Sequence, residues 1–167
     1  MRLAPLALVA ALGGMSLCGC ATTGTSVTDI TPEDAPAFVA MAASSDLYEI
    51  ESSRLALQRT QVQAHRSHAE MMIRDHTNMS AQLRAAASSA GISVPTQMLP
   101  MHVRLLEELS RASNFDAVYR RQQILSHQQS LALMENFSRR GDVPQLRGVA
   151  AAAVPVVRAH LENLRRL

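Results

Sequence analysis

AEMMIRDHTNMSAQL, residues 69–83, is the stretch that decides the fold. Ala69, Met72, His76, Met79 and Leu83 recur at steps of three and four, so they share one face of an α-helix. His76 sits in the middle of that apolar stripe. Imidazole is polar and titrates near neutrality, so burying it requires a hydrogen bond, a counter-charge or a metal. The same arrangement occurs twice more. Ile124, His127, Leu131 and Met134 form one stripe, and Ala153, Val156, His160, Leu164 and Leu167 form another.

The signals around these stripes set the element boundaries. Thr31-Pro32-Glu33-Asp34 reads as a helix start, with a capping hydroxyl, a proline in the first turn and acids facing the dipole. That first helix runs to about Arg59, with Phe38, Ala42, Leu47, Ile50 and Leu57 as buried candidates. Thr60-Gln61-Val62-Gln63 fits a capping box for a second helix, which ends at Gly91, a left-handed terminator. A shorter helix follows from about Pro100 to Ala112, with Leu105, Leu106 and Leu109 facing inward. The fourth, capped by Ser113 or Asn114, runs to Arg140. The fifth opens at Asp142 and continues to Leu167. Pro155 lies inside that last helix, where it removes one backbone donor and predicts a kink over Ala151–Pro155. No stretch alternates with period two. Four long helices joined by short turns predict an all-α, up-and-down four-helix bundle, with the short helix as a crossover.

Depth counting refines the histidine reading. His76 and His127 lie near their helix midpoints, and Glu49 lies roughly 3 Å from the middle of the first helix, at about 1.5 Å per residue. Glu49 shares a face with Phe38, Ala42, Ser45 and Ala56, while His160 falls about 7 Å from its own helix midpoint. Near-antiparallel helices would bring Glu49, His76, His127 and His160 to one level. Three imidazoles and a carboxylate suit one divalent transition metal such as Zn, Fe or Cu. The same residues also suit a metal-free polar layer that bonds internally and fixes helix register, and both readings stay open. Asp75 lies about 100° round the helix from His76, which points it at an Arg or a tyrosine hydroxyl across a helix seam. His65 and His68 read as solvated, and His102, near a helix start, as a weak ligand candidate. Met71, Met72, Met79, Met98, Met101 and Met134 read as core filler before soft-metal ligands.

The N-terminus supplies an address. Arg2 followed by the apolar run Leu3–Leu17 is too short for a permanent membrane span and reads as an export signal over residues 1–19. Leu17-Cys18-Gly19-Cys20 resembles a bacterial lipobox, which implies cleavage before Cys20 and lipidation of its sulfur. Acyl chains then anchor the protein to a membrane, each buried CH2 contributing roughly 0.8 kcal/mol. Ala21, where an aspartate would signal inner-membrane retention, implies the outer membrane, facing the periplasm. Residues 20–32 form a Thr/Ser/Gly-rich tether, and residues 33–167 the bundle domain. No thiol remains beyond Cys20, which excludes a disulfide framework, thiolate-bound zinc and a thiol nucleophile. The net charge is +2, every basic residue is Arg, and aromatics are few, so nucleic-acid binding is not expected.

Phe38-Val39, Tyr48-Glu49-Ile50, Met71–Thr77, Gly91-Ile92, Pro95, Phe115-Asp116, Tyr119, His127, Pro155 and His160-Leu161 together resemble a bacterial exported family. It is the ferritin-like family known as domain of unknown function 4142. The resemblance covers nearly all of 33–167. It implies a ferritin-like core and picks out the positions of Glu49, His76, His127 and His160. A di-iron centre in such a fold needs Glu-x-x-His pairs. Three residues beyond Glu49, Glu70, Glu107, Glu108, Glu135 and Glu162 stand Ser52, Ile73, Ser110, Arg111, Ser138 and Arg165, so that motif is absent. The expectation is a non-enzymatic, lipid-anchored envelope protein with a buried His/Glu centre and no known protein partner. Its alternative is an envelope metal-binding protein, for storage or sensing, that uses that centre.

Overall fold

Asp34 begins the first helix: its carboxylate accepts from the Ala37 N–H, a few residues later than the Thr31 cap expected from sequence. The structure is a computed structural model that describes residues 32–167, so the export signal, Cys20 and most of the tether lie outside the described residues. Five helices follow in order: α1 (Ala35–Arg59), α2 (Gln63–Ser89), α3 (Pro100–Arg111), α4 (Phe115–Arg140) and α5 (Pro144–Arg165). The fold is an all-α helical bundle, and there is no strand among the described residues.

The turns explain the boundaries. Thr60 closes α1, with its N–H bonded to the Ala56 carbonyl, and its hydroxyl accepts from the Val62 N–H. The expected capping box does not form: Val62 precedes α2 and no side chain caps it. Arg66 instead clamps the turn by donating to the carbonyls of Leu57 and Thr60. Gly91 takes φ +69° after α2, the left-handed conformation anticipated for it. Gly141, at the end of α4, is needed for space. A Cβ there would lie 2.5 Å from the Phe137 ring.

Cross-helix bonds fix the topology. Asp46–His76 pairs α1 with α2, and Ser53–Tyr119 and Ser45–Ser130 pair α1 with α4. His127–His160 pairs α4 with α5, and His68–Asn163 and Asp75–His160 pair α2 with α5. Residue numbers run in opposite senses between α1 and α4, between α2 and α5, and, with Glu135–Arg158 as a second pair, between α4 and α5. The short turn at 60–62 reverses α2 against α1, so α1, α2, α5 and α4 form a ring in which every neighbour is antiparallel. α2 and α4 therefore run parallel, and the chain between them must travel the bundle's length. α3 makes that crossing outside the ring. At its start Leu99 N–H donates to the Ser44 hydroxyl, and at its end Arg59 holds the carbonyls of Ser110 and Ala112.

The interior has two characters. Phe38, Val39, Leu83, Leu133, Phe137 and Leu146 form an apolar end. Further along the same helices many of the buried residues are serines, glutamines, acids and histidines, and a second, smaller apolar cluster of Ala56, Ala69, Leu109, Phe115 and Tyr119 closes the far end. On α5 the inward valine is Val157, not Val156, and on α4 Leu133 with Gln122 and Gln123 is buried where Ile124 and Leu131 are only half-buried.

Candidate metal centre

Each histidine of the three stripes points inward: His76, His127 and His160 are 1–2% exposed. One ring nitrogen from each lies within 4.8 Å of one from each of the others. α2 supplies His76, α4 His127 and α5 His160, and α1 supplies the carboxylates beside them.

The outer hydrogen bonds determine where the lone pairs point. His127 Nδ1 is 2.8 Å from the Gln123 carbonyl, a pure acceptor, so Nδ1 carries the proton and Nε2 the lone pair. His160 Nε2 lies 3.1 Å from the Asp75 carboxylate and donates to it, which leaves its Nδ1 as a lone pair. That Nδ1 faces His127 Nε2 at 3.2 Å. In neutral rings the two lone pairs would confront each other, and a cation or a proton between them relieves the conflict. His76 completes the set. Its Nδ1 donates to Asp46 at 2.8 Å, and its Nε2 is buried without any hydrogen-bond partner. Asp46 is itself held by the Ser80 hydroxyl. Each ring thus bonds a fixed oxygen on one side and offers its other nitrogen to a common space, the arrangement that orients metal-bound histidines.

Titration behaviour follows from burial. Burial, then the neighbouring His76, push His127 down to about 3. Burial, then His127, push His160 down to about 3 against the pull of Asp75. His76 goes the other way: burial opposes its charge, but the Asp46 hydrogen bond and carboxylate outweigh it and raise the pKa. Of the three rings, His76 is thus the one that takes a proton most readily. The donor set fits a metal. Tetrahedral or trigonal sites with bonds of ~2.0–2.1 Å place nitrogens about 3.3–3.6 Å apart, so the His127–His160 pair is already close and His76 needs only a small approach.

Glu49 is wholly buried and next to this set, but on its outer side. Oε1 accepts from Ser126 and lies 3.6 Å from His127 Nδ1, the nitrogen turned away from the other two rings, while Oε2 has no partner. Burial raises its pKa. The structure thus brings three of the four expected residues together and places the fourth behind His127.

Asp46 was missed because it follows Ser44 and Ser45 on α1, where burial on nearly every side leaves no polar face to contrast with its own. The solvated reading of His65 and His68 is corrected: both are buried. His68 bonds Asn163 at 2.8 Å and faces Tyr119, and His65 lies 3.4 Å from Asp116. His102 is buried against α1, with Nδ1 2.6 Å from the Ser44 hydroxyl. Met72 and Met134 fill core, while Met41, Met101 and His102 line a cavity of about 280 Å³ that reaches Ser126. Asp75 does cross a seam, but its partner there is His160 and not the expected Arg or tyrosine hydroxyl; Arg74, which it also bonds, is its own neighbour on α2.

Comparison with known proteins fits this picture. The model of the domain of unknown function DUF4142 matches residues 21–167, and the chain belongs to that family. No curated protein matches it. Among solved structures, CopM in the Cu(II)-bound form is similar with a TM-score of 0.68 and 20% identity, covering 80% of this chain and 94% of that one. CopM in the Ag-bound form gives a TM-score of 0.65 and 19% identity, covering 80% and 93%. At these identities the likeness is one of fold.

Proposed function

We propose that this DUF4142 protein is a non-enzymatic metal-binding protein of the cell envelope that holds one copper ion between His76, His127 and His160. The observation that carries the reading is the convergence of three ring nitrogens, one of them, His76 Nε2, buried with no partner. Bonding the opposite ring nitrogens to Asp46, the Gln123 carbonyl and Asp75 takes polar contacts, buried for His76 and His127 and half-buried for His160, that a purely apolar layer would not need. Imidazole donors without thiolate suit borderline ions, and among divalent first-row metals copper binds such sets most tightly. The like-folded CopM, solved with Cu(II) and with Ag, supports that choice. The bound ion supplies charge and coordination only. The chain's own groups orient it, balance its charge through Asp46 and Asp75, and exclude water. The near-complete burial of the three rings favours holding the ion over rapid sensing.

No helix among the described residues is long and apolar enough to cross a membrane. We assign membrane attachment to lipid on Cys20, at the outer membrane, and regard the bundle as a ferritin-like core without its di-iron set. Cys20→Ala should release the chain from membranes; unchanged fractionation would remove the anchor from this reading.

The metal claim is tested on the purified full chain by elemental analysis and by melting with and without chelator. One copper per chain bound at a Kd below about 1 µM should raise stability by several kcal/mol at excess metal. His76→Ala, His127→Ala and His160→Ala should each abolish it. If no metal copurifies and added Cu(II), Cu(I) and Zn(II) all leave the melting temperature unchanged, the centre is a register-fixing polar layer.

A further inference from the structure

The three rings of the centre are not held equally, and the difference assigns them different roles. His76 is tied to Asp46, whose side chain is 5% exposed and is itself fixed by Ser80. His127 is tied to a backbone carbonyl of its own helix, one turn away. His160 alone is tied to a carboxylate that reaches the surface: the Asp75 side chain is 24% exposed. Asp75 is also shared. Arg74, largely solvent-exposed, holds its Oδ1 at 2.9 Å and its Oδ2 at 3.3 Å, and Oδ2 is the same oxygen that accepts from His160.

A second observation points to the same ring. His160 lies five residues beyond Pro155, which sits inside α5. Proline has no N–H, so the Ala151 carbonyl lacks its partner in the helix ladder. Both residues face solvent, so the loss costs little, but the helix is weakest just before the segment that carries His160. α2 and α4 contain no proline in their ladders.

Resting on the copper-centre reading, we infer that His160 is the exchange ligand. The ion enters and leaves through the seam between α2 and α5 when His160 parts from Asp75, while His76 and His127 stay in place. Arg74 is the outer latch. By engaging both oxygens of Asp75 it keeps the carboxylate under His160 and slows the opening. Pro155 supplies the local give in α5.

A gate changes entry and release together, whereas a residue that merely positions a ligand changes release and affinity. Copper association and chelator-driven release are therefore measured by stopped flow on the full chain, with Cu(II) as the probe, for wild type, Arg74→Ala, Asp75→Asn and Pro155→Ala. Arg74→Ala should raise both rates several-fold with Kd changing far less. Asp75→Asn, which also removes charge beside the ion, should raise both rates and weaken Kd by roughly tenfold, the lower end of what an outer partner of a metal-bound histidine controls. Pro155→Ala, which restores the missing donor on an exposed face, should lower both rates at constant Kd and melt no lower than wild type. Release changing in step with Kd at constant association makes Asp75 a positioning residue and overturns the gate. Wild-type rates in Pro155→Ala or in Arg74→Ala overturn it as well. Each of these outcomes leaves the copper site standing, whereas a wild-type chain that binds no copper removes both.

Discussion

At one end of the bundle Phe38 stacks on Phe137 at 3.8 Å among Leu83, Leu133 and Leu146. About two turns along the same four helices the inward positions hold Asp46, His76, His127 and His160. The backbone pattern is continuous through both, so the difference lies in the side chains. The apolar end gains from every atom removed from water, at about 25 cal/mol per Å². The polar layer must recover the desolvation cost of each ring and carboxylate bond by bond. The first region holds the helices together, and the second spends part of that stability on a binding function.

That division can be broken by experiment. Phe137→Ala should cost about 3–5 kcal/mol, read as a large drop in the denaturant midpoint, because a large stacked ring leaves a cavity. Copper binding by the folded fraction should survive it. Gly141→Ala, which drives a Cβ to within 2.5 Å of the same ring, should cost about 1–3 kcal/mol through overpacking. A milder outcome would mean that the Phe137 ring shifts freely and the apolar end is looser than its packing implies.

The polar layer should respond to pH, where the apolar end does not. His127 and His160 ionise near 3 in the folded chain against an ordinary 6.5, so the unfolded chain binds more protons between those values. Their contribution is complete above pH 6.5 and is lost as pH falls below it. Burial lowers His68 and His102 as well, which adds to the loss. His76 and Glu49, both raised, work in the opposite sense, and their contributions are lost as pH rises. With four rings against two groups, the metal-free melting temperature should fall by several degrees from pH 7.5 to 5. A flat profile would mean that the raised groups balance the lowered ones. The smallest effect on stability should come from His127→Leu in the metal-free chain, within about 1.5 kcal/mol, since the ring bonds only its own backbone and His160. The same change should eliminate copper binding. A loss like that of Phe137→Ala would show the layer to be structural first.

Much of this was legible in the sequence because apolar periodicity reports helix faces directly. The five helices, Gly91 as a terminator and the inward aim of His76, His127 and His160 followed from it. The pattern failed where burial is polar. Ser44, Ser45, Asp46, Ser52 and Ser53 give α1 little contrast between its faces, so Asp46 could not be told from a solvated acid. His65 and His68 suffered the same fate on α2. Their burial depends on Tyr119, Asn163 and Gln123, which come from helices distant in sequence. Depth counting brought Glu49 to the right level but could not give the direction of approach, and it arrives behind His127. The Thr60 capping box failed because Arg66 closes the turn from the far side.

The crossing made by α3 has an electrical consequence. Because it sets α2 and α4 parallel, every adjacent pair in the ring points its peptide dipoles in opposite directions, and their fields largely cancel at mid-height. Helix ends, the usual source of bias toward one sign of charge, lie well away from His76 and His127, and only the C-terminal end of α5, which ends at Arg165, comes near the centre through His160. An ion among His76, His127 and His160 therefore feels the local carboxylates, Asp46, Asp75 and Glu49, and of the scaffold chiefly the negative end of α5, both favouring a cation.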